Sequence, residues 1–507
     1  MTARCPAVTL CLAAVATSAL GATYSVGTGK TYATLSALPS LAPGDLVEVS
    51  AGTYPEVRRW TASGTAAAPI TIRGLGSPPP LFDATGLTVD GSLPNPRAVF
   101  QVEGAHVVLE NFELVNARNG DNGAGVRVTG AAADGVVLRG LKIHDCDMGI
   151  MSDGADHLLV DASEVYENGT ASYSGYSHNL YLGGQGTTVQ FSYIHDSLFG
   201  QNVKSRGHFT ALLYNFIADS EDGEVGLVDE AETATPDSNA VMIGNVVVAK
   251  PRNSGFNTGR FIWFGQDLGG AHTGTLYVFN NTFVAGDARI NFLEANATGA
   301  AVVASNNVFF ASDSLVTGSG AVSGTKNCVP DTATIPSGLI AAVTAAAAPF
   351  ADAAGRDFHL TATTPCRNAG TPGLTYVDGT GASQSGAPTF QYVNHLASEA
   401  RASDGQLDLG AYEYVTGSPP DAGATGDAGA ATDAGTADAG QGADAGTGPA
   451  VDGGTGSGGP EEAPVAGGCG CAAQPGDAFA GWLMVAVAAL ERMLARRRRQ
   501  LPAQGAW

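Results

Sequence analysis

The sequence predicts an all-β fold, a single parallel β-solenoid, and three observations support this. A motif recurs through the middle of the chain: a β-rich run, a large apolar residue and an acidic or Asn-containing turn. Successive apolar residues are 29, 22, 29, 23, 30, 36 and 26 positions apart, a fixed minimum with ragged excess that indicates stacked coils with loops at their corners. The runs are also too short and too rich in Val, Ile, Thr, Phe and Tyr for helix pairs. The apolar anchors are Leu114, Ile143, Val165, Ile194, Ile217, Val247, Phe283 and Phe309.

Residues 1–22 have the layout of a secretory signal. Arg4 precedes a short apolar stretch that ends in small residues, and cleavage is expected near Gly21 or Ala22. The alternative, a retained membrane anchor, is less favoured because the stretch is short for a membrane span. We therefore expect the chain to be exported.

The segment before the repeats, ATYSVGTGKTYATLSALPSLAPGDLVEVSAGTYPE, resembles the opening segment of right-handed parallel β-helix proteins of the pectate-lyase-like superfamily. The resemblance implies an N-terminal helical cap, here an amphipathic helix around Thr31 to Leu41, that covers the open end of the solenoid. Strands at Leu46 to Val49 and at Ile70 to Ile72 would follow it. A cap is needed because an uncovered last coil exposes unpaired strand edges.

Two segments after the repeats resemble the closing part of the same proteins. They are DFHLTATTPCRNAG at Asp357 and DGQLDLGAYEY at Asp404. The resemblance therefore spans residues 23–415, which we predict to form one elongated β-helix domain.

The chain changes character after that domain. Residues 416–466 are low-complexity Gly, Ala and Asp, which predicts a disordered spacer. Residues 467–507 place a Cys motif before a short apolar helix and an Arg-rich end, and this order resembles the C-terminal sorting tails of myxobacterial surface proteins. The resemblance implies processing by a myxosortase-type protease, at Cys469 rather than Cys471, and display on the cell surface.

Of the seven cysteines in the chain, three lie in the predicted β-helix domain. Cys328 and Cys366 flank the end of the repeat region and are candidates for a disulfide, which an exported protein permits. Cys146 would then be a buried thiol inside a coil. The chain shows no Cys or His spacing typical of a metal site.

The chain is acidic, with a formal net charge of −23 at pH 7. Setting aside eight acids of the spacer, and two acids and five arginines of the tail, leaves 38 acids against 20 bases. This balance disfavours nucleic acid and anionic membrane surfaces as partners. An anionic substrate therefore requires a local cationic island.

An Asn recurs two positions before the anchor in the later coils. Asn215, Asn245, Asn281 and Asn307 hold this position, and we interpret them as a structural ladder along the solenoid axis. They are not candidate site residues.

The strand after each anchor is more informative, because alternation assigns each residue to the core or to solvent. Neighbouring rungs lie about 4.8 Å apart, which places Tyr181 directly beside Lys204. The same alignment predicts an adjacent outward row of Asn179, Asn202 and Glu224, which we take as substrate-binding residues. Further outward residues of this face are Arg206 and Trp263, and the aligned inward residues are Ile150, Leu180, Val203, Val225 and Ile262.

Two insertions leave the same corner on either side of the Lys204 coil. They are NGTASYSGYSH, residues 168–178, and KPRNSGFNTGR, residues 250–260. We expect them to form two walls of a cleft, because binding residues concentrate in loops on a rigid scaffold. The residues suited to gripping sugars are Tyr173, Tyr176, His178, Arg252, Phe256 and Arg260.

These residues suit β-elimination of a uronic-acid polymer, which needs a carboxylate neutraliser, a base and a proton donor. We assign Lys204 as base, Arg206 as neutraliser, and Tyr181 or His178 as proton donor. The stretch from Asn202 to Arg206 also looks like the Lys-Ser strand of β-helical polysaccharide lyases of the alginate lyase and chondroitinase class. Those enzymes set an Arg on the next rung, where this chain has Glu224 and Gly226.

Other interpretations of these charged residues stay open. Lys204 and Arg206 could be a solvated pair on a sheet face, and His144 and His195 fit simple corner residues. A group of acids at one corner could bind Ca²⁺ or supply the acid pair of a hydrolase, although acidic corners are common here. That group is Asp219, Glu221, Asp222 and Glu224.

Together these features predict an exported monomer at the cell surface or outer envelope, or released from it. Its predicted partner is an acidic polysaccharide, bound and cleaved by β-elimination, with a sorting protease acting on its tail. A first alternative is a non-catalytic carbohydrate-binding or adhesive surface protein. A second is a glycoside hydrolase or uronate epimerase on the same scaffold. No cofactor is predicted with certainty, and Ca²⁺ is the one candidate.

Overall fold

The computed structural model describes residues 21–251, 260–285, 291–296, 300–310 and 314–415. They form an almost entirely β structure in which three long parallel sheets run along one solenoid, so the predicted parallel β-helix is confirmed. All but the last two residues of the secretory signal lie outside the described residues. So do the spacer and the sorting tail with Cys469 and Cys471.

Sheet 1 has thirteen strands and forms one side of the solenoid. Its strands are Thr23–Val26, Leu46–Val49, Ile70–Gly74, Val107–Glu110, Val137–Arg139, Leu158–Asp161, Gly186–Gln190, Phe209–Leu213, Ala240–Ile243, Thr275–Phe279, Ala301–Ser305, Ala321–Thr325 and Leu339–Ile340.

Sheet 2 has ten strands and carries the residues predicted to act on substrate. Its strands are Arg58–Trp60, Ala98–Val102, Ala124–Thr129, Met148–Asp153, Leu180–Leu182, Val203–Ser205, Val225–Val228, Arg260–Gly265, Asn291–Asn296 and Ser314–Thr317.

Sheet 3 has twelve strands and contains the anchors of the repeat. All eight anchors pair with one another in the predicted order and are buried, because each is the inward residue of its strand. Its strands are Thr53–Tyr54, Leu81–Asp83, Glu113–Val115, Lys142–His144, Glu164–Tyr166, Tyr193–His195, Phe216–Ala218, Val246–Ala249, Thr282–Ala285, Val308–Phe310, Cys328–Pro330 and Val343–Ala345.

The asparagine ladder at the corner between sheets 1 and 3 is confirmed. The Nδ2 of Asn245 donates to Oδ1 of Asn281 at 2.8 Å, and Asn215 donates to Asn245 at 3.0 Å. The ladder continues through Asn307 to Asn327, and every member is fully buried or nearly so. Each side chain therefore satisfies polar groups that the tight corner would otherwise leave without a partner.

The N-terminal cap differs from its prediction. The helix expected around Thr31 to Leu41 is a single 3₁₀ turn, Leu35–Ala37. Leu38 precedes Pro39 and is extended, with φ −64° and ψ 145°, because a following proline disfavours the helical conformation. Leu35 and Leu38 are nevertheless buried against the core, so the segment covers the end of the solenoid without a helix.

The C-terminal segment lies along the side of the solenoid. It contains three antiparallel hairpins. Apolar residues of two of them, among them Phe358 and Tyr392, pack on the outer face of sheet 3 around Phe216, whereas Tyr376 of the third packs against Tyr277 of sheet 1. The predicted disulfide between Cys328 and Cys366 is present and joins this segment to the last coils. The hairpins are Phe350–Asp352 with Asp357–Leu360, Thr375–Val377 with Ser383–Ser385, and Phe390–Val393 with Ala397–Ala400.

Cys146 is the buried thiol that the sequence predicts. Burial raises the pKa of its thiol to about 12, so the thiolate is disfavoured. Within the described ranges no helix is long and apolar enough to cross a membrane.

Candidate functional site

The outward face of sheet 2 has the predicted register. Tyr181 pairs with Lys204 on the next rung. Lys204 pairs with Gly226 on the rung after that, and Gly226 pairs with Trp263. Because these strands are parallel and in register, their outward side chains form one row along the solenoid. We call the surface over this row the sheet 2 groove.

Lys204 and Arg206 share one carboxylate, that of Asp267. The Lys204 Nζ donates to Asp267 Oδ2 at 3.0 Å, and the Arg206 Nη2 donates to the same oxygen. Lys204 is 5% exposed and Arg206 is 8% exposed, so they are not a solvated pair. Burial lowers the pKa of Lys204, with Arg206 adding to that effect and Asp267 opposing it. A lysine of this kind is a better base near neutral pH than an exposed one.

Tyr181 is held by Arg206. The Arg206 Nε donates to the phenolic oxygen at 3.1 Å, and the Arg206 Nη1 donates to the carbonyl of Asp229 at 2.6 Å. Since the phenolic oxygen accepts from the guanidinium, its own O–H is left to donate elsewhere. This orientation suits a proton donor beside Lys204.

Trp263 lies two rungs beyond Lys204, across the position of Gly226. Gly226 has no side chain and the Gln201 amide packs against it, and the Lys204 Nζ lies 5.5 Å from the centre of the Trp263 ring. The Arg260 guanidinium lies 4.2 Å from the same ring and bonds to Glu294 at 3.3 Å. An aromatic ring between two cations offers both stacking and charge to a sugar acid.

A tight turn positions Asp267. The backbone N–H groups of Asp267, Leu268 and Gly270 all donate to the carboxylate of Asp229. These backbone bonds outweigh the effect of burial and lower the pKa of Asp229, which therefore stays ionised. The turn that carries Asp267 is thus held against Asp229, whose backbone carbonyl also accepts a hydrogen bond from Arg206.

The row of Asn179, Asn202 and Glu224 exists, but its predicted role in binding substrate is wrong. Asn179 donates to Asn202 at 2.8 Å, and Asn202 donates to Glu224 at 2.7 Å. All three are at most 1% exposed. The strands begin one residue later, at Leu180 and Val203, so these side chains belong to the corner and turn inward. They form a second buried ladder at the corner between sheets 3 and 2, where Asn179 and Asn202 also donate to the backbone carbonyls of His195 and Ala218.

His178 is also buried, at 1% exposure, and stacks on Tyr181 with ring centres 5.5 Å apart. Its Nδ1 accepts from the backbone N–H of Gln201 at 2.9 Å. Burial, helped by Lys204 and Arg206, lowers its pKa well below the usual value. His178 is therefore neutral and orients Tyr181, so Tyr181 is the better proton donor.

The structure describes the first of the two predicted walls, but only the ends of the second. Residues 168–178 form a loop with two buried ends and an exposed middle. In that middle Tyr173 and Tyr176 lie with ring centres 5.3 Å apart, and Tyr176 is 62% exposed. Burial raises the pKa of Tyr173, with smaller effects from Asp121 and Tyr181. Residues 252–259, including the predicted Arg252 and Phe256, lie outside the described residues.

Three carboxylates of the predicted acidic corner have different partners. Asp219 pairs with Arg356, and Glu221 pairs with Lys250. Glu224 bonds to Asn202 and to the backbone of Ser220. Among the described residues, the acidic group whose ligand atoms approach one another is a different one, Asp134, Asp156 and His157. This geometry does not favour Ca²⁺ or an acid pair at the predicted corner.

His144 and His195 follow the anchors on sheet 3, as expected of corner residues. They stack on either side of Tyr166, with ring centres 4.8 and 4.9 Å away. Each bonds to the aspartate that follows it, Asp145 or Asp196. They lie on another face from Lys204 and are not part of the sheet 2 groove.

Asp267 and Asp229 are part of this cluster of contacts, and sequence reasoning assigned neither of them a role. Asp267 follows its strand by two residues, and its position depends on Asp229 one coil earlier. The available signal was a carboxylate at the end of one strand opposite a Gly-rich turn on the next rung, around Gly265. Such a pair satisfies backbone N–H groups, as nests and Asx turns do.

Comparison with solved structures finds similar chains, among them three lyases. Pectate lyase Pel9A is 15% identical with a TM-score of 0.47, covering 78% of this chain and 97% of its own. An alginate lyase from Paenibacillus sp. str. FPU-7 is 18% identical with a TM-score of 0.44, covering 62% and 99%. A rhamnogalacturonan lyase is 14% identical with a TM-score of 0.40, covering 64% and 85%.

These likenesses are too weak to assign a residue role or an activity to this chain. No protein-family profile matches the sequence, and no relative was found among curated proteins.

Proposed function

We propose that this chain is an exported, surface-displayed β-helix protein that binds an acidic polysaccharide in the sheet 2 groove and cleaves it by β-elimination. One observation carries the proposal: on a strongly acidic chain, Lys204, Arg206 and Tyr181 contact one another or a shared carboxylate on a single face. Trp263 and Arg260 extend that face with an aromatic ring and a further cation. The sorting tail, which lies outside the described residues, would attach the protein to the cell.

The reaction assigns one role to each residue. Arg206 binds the substrate carboxylate in the place that Asp267 occupies, which makes the C5 proton more acidic. Lys204 removes that proton. The electron pair of the C5–H bond then forms the C4–C5 double bond as the bond from C4 to the leaving oxygen breaks. Tyr181 donates its phenolic proton to that oxygen. The products are one chain with an unsaturated end and one with a free hydroxyl.

The test is incubation of the protein with alginate, pectate, chondroitin and other polyuronates while following the ultraviolet absorbance of unsaturated ends. We expect one of them to give a signal, and Lys204→Ala to lower the rate by about 100-fold or more. Lys142→Ala, a lysine on sheet 3, is the matched control and should keep the rate. The lyase assignment fails if no polyuronate gives a signal, and the choice of base fails if the signal survives Lys204→Ala.

A second candidate function is non-catalytic binding of the same polymer. The contact that favours it is Asp267, which neutralises part of the cationic cluster from within the chain. A groove of this kind would hold sugars through Trp263 and Tyr176 without releasing unsaturated ends. Polymer retention on the immobilised protein, with no product in the ultraviolet assay, would select this function.

A further inference from the structure

Arg58 occupies a core position at the N-terminal end of the solenoid. In sheet 2 it pairs with Phe100, which pairs in turn with Val126. Phe100 and Val126 are fully buried in the core, so Arg58 is the inward residue of the first rung of this sheet. Arg58 is only partly buried, yet a guanidinium on the inward side of a rung is unusual, because charged side chains are rarely directed toward a core.

A cavity of about 370 Å³ lies at this end, between the N-terminal cap and the first coils. Leu38 and Leu41 of the cap line it, together with Ile70 and Ile72 of sheet 1. This volume is within the range of small-molecule sites in proteins, and the exposed lining is about equally polar and apolar. We call this space the mouth cavity.

Two donors lining the mouth cavity have no partner. The Arg58 Nε and the Trp60 Nε1 are both buried and make no hydrogen bond. Trp60 is 4% exposed, and the Arg58 guanidinium lies 5.6 Å from the centre of its ring. Buried donors are almost always satisfied, so these two indicate an acceptor that the described residues do not supply.

The charge around the mouth cavity favours an anion. Arg58 and Arg59 line it, and none of the lining residues is acidic. Arg59 is already bonded to Glu103 and to backbone carbonyls, whereas the nearby Glu56 accepts from the backbone of Leu35. Burial lowers the pKa of Arg58 and Glu56 opposes this effect, yet an arginine remains charged at any physiological pH.

We propose that the mouth cavity binds a small monocarboxylate with an aliphatic body. The carboxylate accepts from Arg58 and from Trp60, and the aliphatic body packs against Leu38, Leu41 and Ile72. A guanidinium prefers a carboxylate partner, and the apolar lining residues give an aliphatic body a surface to pack against. This site is separate from the sheet 2 groove and does not depend on the function proposed for it.

Tryptophan fluorescence can test this, because the chain has four tryptophans. The full-length protein with Trp263→Phe, Trp482→Phe and Trp507→Phe keeps only Trp60, and circular dichroism confirms that it folds. Sodium octanoate, below its micelle concentration, is the probe, and 1-octanol is the neutral control of equal chain length. We expect a saturable change in Trp60 emission with octanoate, at least tenfold tighter than with octanol.

In the same background, Arg58→Met should weaken octanoate binding at least tenfold. Arg73→Met, which removes a cation of sheet 1 that pairs with Glu110, is the matched control and should leave it unchanged. The proposal is overturned if octanoate gives no saturable change, which would mean a cavity filled by water alone. Equal binding of octanol, or unchanged binding by a folded Arg58→Met protein, would also overturn it. The comparison of octanoate with octanol decides the matter even if Arg58→Met does not fold.

Discussion

At the scale of single residues, Asp267 controls what Lys204 and Arg206 can do. Its Oδ2 atom bonds to both cations, so it stabilises their charges while occupying the place that the proposed reaction gives to a substrate carboxylate. Sequence alternation was sufficient to bring Tyr181 beside Lys204, because outward residues of adjacent rungs must meet. It could not reveal Asp267, whose position depends on how a turn folds around Asp229.

We expect Asp267→Asn to move the rising limb of the pH–rate profile to lower pH. Asp267 raises the pKa of Lys204, so without its charge Lys204 loses its proton more readily. The free energy of unfolding should fall by about 2 kcal/mol, because two buried cations lose their counter-charge. Glu294→Gln, which removes a carboxylate that pairs with Arg260, is the control and should leave the limb in place. A limb that stays or moves to higher pH in Asp267→Asn would contradict this role.

At the scale of elements, strand boundaries decide which predicted residues face outward from the core of the solenoid. Lys204 lies within its strand and faces outward as alternation predicts, whereas Asn202 lies just before the strand and turns inward. The two buried ladders lie at corners of the solenoid, because backbone groups there cannot pair with a neighbouring strand and need side-chain partners. The N-terminal cap shows the same limit, because Pro39 ends a turn that the amphipathic pattern alone would extend into a helix.

The asparagine ladder should contribute substantially to stability. Asn245→Ala removes the acceptor of Asn215 and the donor to Asn281, so we expect the free energy of unfolding to fall by about 3 kcal/mol. Urea denaturation measures this loss. Gln185→Ala, which truncates an exposed amide, is the comparison and should change stability little. A similar small effect for both variants would show that the ladder is not a stabilising element.

At the scale of the whole molecule, the C-terminal segment covers sheets 1 and 3 and meets the solenoid at Glu164. The Glu164 carboxylate lies 3.5 Å from His195 of sheet 3 and 3.5 Å from His395 of that segment. Lys142 and Tyr193 are its neighbours on the adjacent rungs. The repeat predicted the solenoid but not this cover, since the segment has no periodicity to fix where it lies.

These contacts give folding a pH dependence. Burial would raise the pKa of Glu164, but His195 and His395 outweigh it and lower that pKa from 4.5 to about 2. Stability from Glu164 is therefore complete above about pH 4.5 and is lost as the pH falls toward 2. The pKa of His195 is raised by Asp196 and Glu164 despite burial, so its contribution is present below its ordinary 6.5 and is lost at higher pH. Stability from this cluster should be greatest between these limits.

We expect Glu164→Gln to lower the melting temperature at pH 6 and to match the unmodified protein near pH 2. Thermal melts across pH 2 to 7 measure the difference. Glu167→Gln, an exposed glutamate of the same coil, is the control and should follow the unmodified protein throughout. A deficit in Glu164→Gln that persists unchanged down to pH 2 would show that packing, not charge, explains its effect.

The position of the C-terminal segment has a practical consequence for handling the protein. Tyr414, near the last described residue, packs with the cluster on the outer face of sheet 3, and the Arg367 guanidinium lies 3.9 Å from its ring. The chain therefore leaves the solenoid from a different face than the one that carries Lys204. A surface, bead or fusion partner joined beyond Tyr414 should leave the sheet 2 groove accessible to long polymers, whereas an attachment through the loop of Tyr176 should obstruct it.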